Sequence, residues 1–202
     1  MPKRGNAMSK VTSIVMVGVG GQGILLATQI AARAALIGGH DVKTNEVHGM
    51  AQRGGSVVAQ IRYGEKVFSP LVPEGAAQVL ASLEKIEALR FAGFLEPGGL
   101  AVVSSQMIVP VTVSSGQATY PADAEERLRA AFPRLAYIDA VGVAEKICDT
   151  RVANVVLLGA MSTALDLPAE CWEEAIAQCV KPKFKEINSR AFAEGKRLAI
   201  SV

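Results

Sequence analysis

Eleven consecutive residues, Glu46-Val47-His48-Gly49-Met50-Ala51-Gln52-Arg53-Gly54-Gly55-Ser56, hold a carboxylate, an imidazole, an amide, a guanidinium and a hydroxyl among three glycines. Polar groups on so pliable a backbone mark a loop that contacts something. Arg53 is the candidate for holding a carboxylate or phosphate, because its planar fork matches two oxygens at once. Pairing of Arg53 with Glu46, bracing the loop, is the alternative. His48 carries either a tunable acid–base group or a hydrogen-bonded structural imidazole, and Gln52 and Ser56 read as hydrogen-bonding supports.

A second cluster precedes this one. Ser13-Ile14-Val15-Met16-Val17 is an apolar, β-branched run that ends in Gly18-Val19-Gly20-Gly21-Gln22-Gly23, a G-x-G-x-x-G turn leading into an Ala- and Leu-rich helix. There the first glycine, Gly18, permits the tight turn, Gly20 lets a ligand approach the backbone, and Gly23 lets the helix pack close to the strand. The helix start favours a phosphate or carboxylate, although the same glycines serve equally for packing alone. A nicotinamide site needs an acid at the end of the second strand, about 20 residues on. Asp41 instead opens that strand and Glu46 enters the loop, so a stand-alone nicotinamide-dependent dehydrogenase stays an alternative, as does a non-enzymatic nucleotide-binding module.

The elements that must position these groups follow from composition and period. The chain has 202 residues, half of them hydrophobic but only 5% aromatic. Such a surplus of Ala, Val, Leu and Ile fits a sheet covered by helices on both faces. Strands are predicted over 13–17, 41–44, 56–63, 100–103 and 135–138, with a further apolar run at 77–83. Helices are predicted over 22–37, 84–95 (stopped by Pro97-Gly98-Gly99), 124–132, 141–148, 152–165, 169–180 and 184–198. The alternation predicts a Rossmann-like, three-layer α/β domain with a mainly parallel sheet and a helical C-terminus, spanning 11–202 after a disordered lead over 1–10. The crevice lies at the carboxyl ends of the strands, where Gly18 falls.

Other classes are disfavoured. No apolar stretch approaches the ~20 residues of a membrane span, and no h-region follows the N-terminal basic residues. Cys148, Cys171 and Cys179 lack Cys-x-x-Cys spacing, which disfavours zinc, an iron–sulfur cluster and a disulfide framework. A cytoplasmic protein is expected, with no nucleic-acid or membrane partner, although the net charge of +2 does not itself decide the former.

Together the two loops resemble the gamma-type small subunit of 2-oxoacid:ferredoxin oxidoreductases, in particular the beta subunit of the indolepyruvate:ferredoxin oxidoreductases. Asn154 to Ala160, reading Asn-Val-Val-Leu-Leu-Gly-Ala, resembles a later helix motif of that family. The resemblance implies oxidative decarboxylation of a 2-oxoacid, such as indolepyruvate or another aryl pyruvate, to an acyl-CoA. Electrons pass to ferredoxin, and coenzyme A is the co-substrate. Thiamine diphosphate, magnesium and iron–sulfur clusters do that chemistry, but the sequence has neither a Gly-Asp-Gly stretch with a downstream Asn pair nor a cluster's cysteines. The expectation is therefore a chain that binds no cofactor alone and works with a large partner subunit carrying them. The glycine turn and the second loop would face that partner, and the isolated chain could form a homodimer.

Overall fold

The computed structural model describes residues 11–49 and 54–200; the lead expected over 1–10 lies outside them. Strand β1 (Thr12–Val19) is buried along nearly its whole length, as a strand covered on both faces must be. Helix α1 (Ile24–Ile37) starts two residues later than its period predicts. Gly23 sits at φ +77°, a left-handed conformation that ends the turn and cannot begin a helix. Strand β2 (Asp41–His48) runs well past Thr44, because its polar second half pairs antiparallel with β3 (Ser56–Gly64) as far as His48 opposite Val57. Cross-strand pairing overrides a composition that reads as loop, so Glu46 and His48 are strand residues.

Strand β4 (Ala77–Ser82) leads into α2 (Lys85–Arg90), a helix shorter than expected; a 3-10 turn over Ala92–Phe94 follows it. Strand β5 (Leu95–Ser104) therefore contains the Pro97-Gly98-Gly99 run instead of following it. The ladder to β4 shifts register between Ala77 and Val79 at this point, and Gly98, at φ +82°, takes up the irregularity. Next come α3 (Val111–Ser114), α4 (Ala124–Ala131), β6 (Leu135–Ile138), α5 (Ala140–Lys146) and a 3-10 turn over Thr150–Val152. Helices α6 (Ala153–Ser162), α7 (Ala169–Cys179) and α8 (Lys185–Ile200) complete the described chain.

The six strands lie in the order β2-β3-β1-β4-β5-β6. Pairs β1–β4, β4–β5 and β5–β6 are parallel, and β3 alone runs against the rest. Helices α1 and α6 cover one face, with α7 packed outside α1 and α8 outside α6; α2 and α4 cover the other. All ten residues of α6 are buried, which explains why this helix is mostly apolar all round, its Asn154 and Ser162 bonding to backbone carbonyls. Its contact with α8 is backbone-close: a Cβ on Gly159 would lie 2.0 Å from the Phe192 carbonyl oxygen, and one on Gly195 1.8 Å from that of Val156. No helix among the described residues is long and apolar enough to cross a membrane.

Candidate functional site

The glycine turn and the tip of the β2–β3 hairpin are stitched together. Because β3 lies beside β1, with Val19 opposite Ser56, the ladder continues upward. The Gly20 N–H donates to the Gly55 carbonyl at 2.8 Å, the Gly54 N–H to the Gly20 carbonyl at 3.4 Å, and the Gly49 N–H to the Ser56 carbonyl at 3.4 Å. The Gly20 N–H is thus consumed by the second loop, while the residue still lines both clefts beside the turn. Gly21 and Gly23 have positive φ, and a Cβ on Gly23 would stand 2.6 Å from the Asn154 amide nitrogen. Hence Gly23 permits close approach of α6 rather than of its own strand.

Gln22 faces inward. Its Oε1 accepts from the Val19 N–H at 2.7 Å, while its Nε2 donates to the Leu83 carbonyl at 2.7 Å and to Gln106 Oε1 at 2.8 Å. The same Oε1 would be 2.6 Å from a Cβ on Gly18, so Gly18 makes room for this amide. Asn154 Nδ2 donates to the Gly23 carbonyl at 2.9 Å, an oxygen that also accepts the Ala27 N–H. Turn, helix start and α6 are fixed by these bonds.

Two clefts flank the turn. One, of about 540 Å³, is lined by His48, Val57, Leu25 and the glycine backbone. The other, about 530 Å³, lies at the carboxyl ends of the parallel strands against Leu83, Gln106, Ile108, Arg151 and Asn154. His48 therefore reaches a cleft, whereas Glu46 lies exposed on the edge strand. Gln52 and Arg53, and with them the pairing of Arg53 to Glu46, lie outside the described residues. Exposed apolar side chains occur nearby on the elements that bound the clefts, namely Leu25, Val47, Met107 and Val109.

Arg151 was not singled out by sequence. Its guanidinium, largely exposed at the rim of the second cleft, is held by Asp149 through Nε at 2.8 Å and Nη2 at 2.7 Å. The hydrogen bonds from Arg151 hold the Asp149 carboxyl below the usual carboxylate range. Only its place in the fold brings it to the cleft. Gln106 was missed for the same reason, whereas Asn154 lies in a recognised motif but gave no sign of touching the turn.

The arrangement does not fit a dinucleotide site built on adjacent first and second strands, because β3 separates β1 from β2. Nor does the donor set suit a metal or cluster. Among the described residues no group of three or more His, Cys, Asp or Glu could hold a metal ion, and the cysteines are exposed (Cys148), buried (Cys171) and half-buried (Cys179). No metal- or cluster-borne step is therefore assigned to this chain.

Residues 13–198 match the family model described as pyruvate ferredoxin/flavodoxin oxidoreductase. Indolepyruvate oxidoreductase subunit IorB of Archaeoglobus fulgidus is 43% identical over 194 residues, covering 94% of this chain and 96% of the relative. Among solved structures, the gamma subunit of keto/oxoacid ferredoxin oxidoreductase from Geobacter sulfurreducens superposes with a TM-score of 0.69 at 24% identity, over 95% of this chain and 99% of that one. The 2-oxoglutarate:ferredoxin oxidoreductase of Magnetococcus marinus, with 2-oxoglutarate, coenzyme A and succinyl-CoA bound, superposes with the same TM-score at 21% identity. It does so over 96% of this chain but only 32% of its own, so there the fold is one portion of a longer polypeptide. The chain belongs to the pyruvate ferredoxin/flavodoxin oxidoreductase family, as a small subunit of the 2-oxoacid:ferredoxin oxidoreductase kind.

Proposed function

We propose that this subunit completes an enzyme that oxidatively decarboxylates an aryl pyruvate, indolepyruvate foremost, to its acyl-CoA in the cytoplasm. A large partner subunit carries thiamine diphosphate, magnesium and the iron–sulfur clusters, and ferredoxin is reached through the complex. The observation that carries the reading is the match to an indolepyruvate oxidoreductase subunit along almost the full length of both chains. In support, the glycine turn and hairpin tip form one composite edge through the Gly20–Gly55 bond. That edge borders two clefts and exposed apolar side chains of the kind protein interfaces bury.

In this reading Gly18, Gly21, Gln22 and Gly23 shape the edge, and Gly20, Gly54, Gly55 and Ser56 join the two loops. His48, Gly49, Gln52 and Arg53 face the catalytic subunit near the entry of substrate or coenzyme A, with Glu46 beside them. Arg53 is the group that takes a carboxylate or phosphate. This chain binds no cofactor by itself, and when isolated it self-associates through the apolar edge.

The test is reconstitution with the large subunit, followed by indolepyruvate- and coenzyme A-dependent reduction of ferredoxin. Activity is expected only with both subunits. Arg53→Ala is expected to lower acyl-CoA formation at least tenfold or to weaken association, loss of a charge-assisted bond being worth roughly 1.5–3 kcal/mol. Unchanged values for both quantities would remove Arg53 from the site, and turnover by either subunit alone would overturn the shared-enzyme reading.

A further inference from the structure

Among the buried described residues, the charged side chains are two carboxylates, Glu84 at 2% exposure and Glu87 at 7%. Burial of a carboxylate is costly and has to be compensated by directed bonds, and here both sit at the start of the six-residue helix α2. Glu84 caps that helix: its Oε2 accepts the N–H groups of Ile86 at 2.7 Å and Glu87 at 3.0 Å. A Ser or Asp would suffice for a cap. The longer Glu84 has a second oxygen to spend, and Oε1 accepts the Tyr120 hydroxyl at 2.7 Å and the Ile108 N–H at 3.4 Å. The Lys85 N–H adds a bond to the Gln106 carbonyl at 3.3 Å. The wall of the second cleft that carries Gln106 and Ile108 is thereby fastened to α2. Burial and the neighbouring Glu84 push the Tyr120 phenol far above its ordinary range, so it remains a donor.

Glu87 serves the other side. Its Oε2 accepts the hydroxyl of Ser56, the residue that follows Gly54-Gly55, and its Oε1 pairs with Arg90 at 2.7 Å. One turn of helix therefore holds the base of the hairpin, beside the first cleft, through Glu87 and the Gln106–Ile108 wall of the second cleft through Glu84. The two carboxylates are linked by the Glu87 N–H itself.

We propose that Glu84 and Glu87 are positioning residues that couple the hairpin beside the first cleft to the Gln106–Ile108 wall of the second, so that contact made by the catalytic subunit on Gly54–Ser56 sets that wall. The inference rests on the partnership described under Proposed function. Tyr120→Phe and Ser56→Ala each delete one hydroxyl, and the dissociation constant for the large subunit is measured for each variant and for the pair. Each single change should weaken association by about fivefold to tenfold, the worth of one directed bond. The double variant should weaken it by clearly less than the product, as for groups in one network. Ser56→Thr, which keeps the hydroxyl, should restore the affinity. Multiplicative effects, failure of Ser56→Thr to rescue, or wild-type affinity in variants whose isolated chains merely melt earlier would overturn the coupling. If the wild-type subunits do not associate at all, the partnership itself fails.

Discussion

At Gln22 the polar ends of the side chain are consumed inside the protein. A glutamine between two glycines suggests a ligand contact, but its amide closes a gap between the ends of β1, β4 and β5. Replacing it with leucine, of similar volume, leaves the Val19 N–H and the Leu83 carbonyl without this partner. Loss of about 2–3 kcal/mol in denaturant unfolding is expected, and a change below about 0.5 kcal/mol would show that water substitutes for the amide. Residue types told where chemistry could lie, because glycines clustered with Arg and one of the two histidines are distinctive in such spacing. They could not tell which polar groups face inward, since that depends on a carbonyl 61 residues away at Leu83.

Between elements, the contact of α6 with α8 is the tightest constraint visible. Gly159 and Gly195 face each other's helix backbone, where no flexible side chain can yield. Gly195→Ala is therefore expected to force the helices apart and cost about 3 kcal/mol, the upper range for overpacking, read as a lowered Tm. Gly93→Ala is the control, since nothing lies within 4 Å of its added Cβ; an equal loss there would refute the packing explanation. The position of these helices was legible from period and composition. The pairing of the two glycines was not, because no local pattern links residues that meet only after α7 has been traversed. Strand β2 illustrates the same limit: Asn45 to His48 lie beyond the strand predicted over 41–44, and β3 makes them a strand.

For the molecule as a whole, all three tyrosines have phenols shifted upward, mainly by burial; Glu84 adds to the effect at Tyr120. An unfolded tyrosine ionises near pH 10. The unfolded chain thus sheds these protons first, and the stability they support is intact below about pH 10 and falls as pH rises beyond it. Thermal melts should show a steep alkaline decline, less steep in Tyr120→Phe, and tyrosinate absorbance should rise together with unfolding. Free ionisation of all three near pH 10 in the folded protein would contradict this. By itself the sequence determined the α/β class, most helices, the glycine turn and, through two loop motifs, the family, because each is written in local period or in contiguous residues. Only the tertiary structure decided that β3 separates β1 from β2, that Gly20 is bonded to Gly55, that Arg151 rims a cleft beside the turn, and that Glu84 and Glu87 bond to Tyr120 and Ser56. Those facts depend on long-range strand pairing and helix packing, whose free energy is shared among residues far apart in the chain.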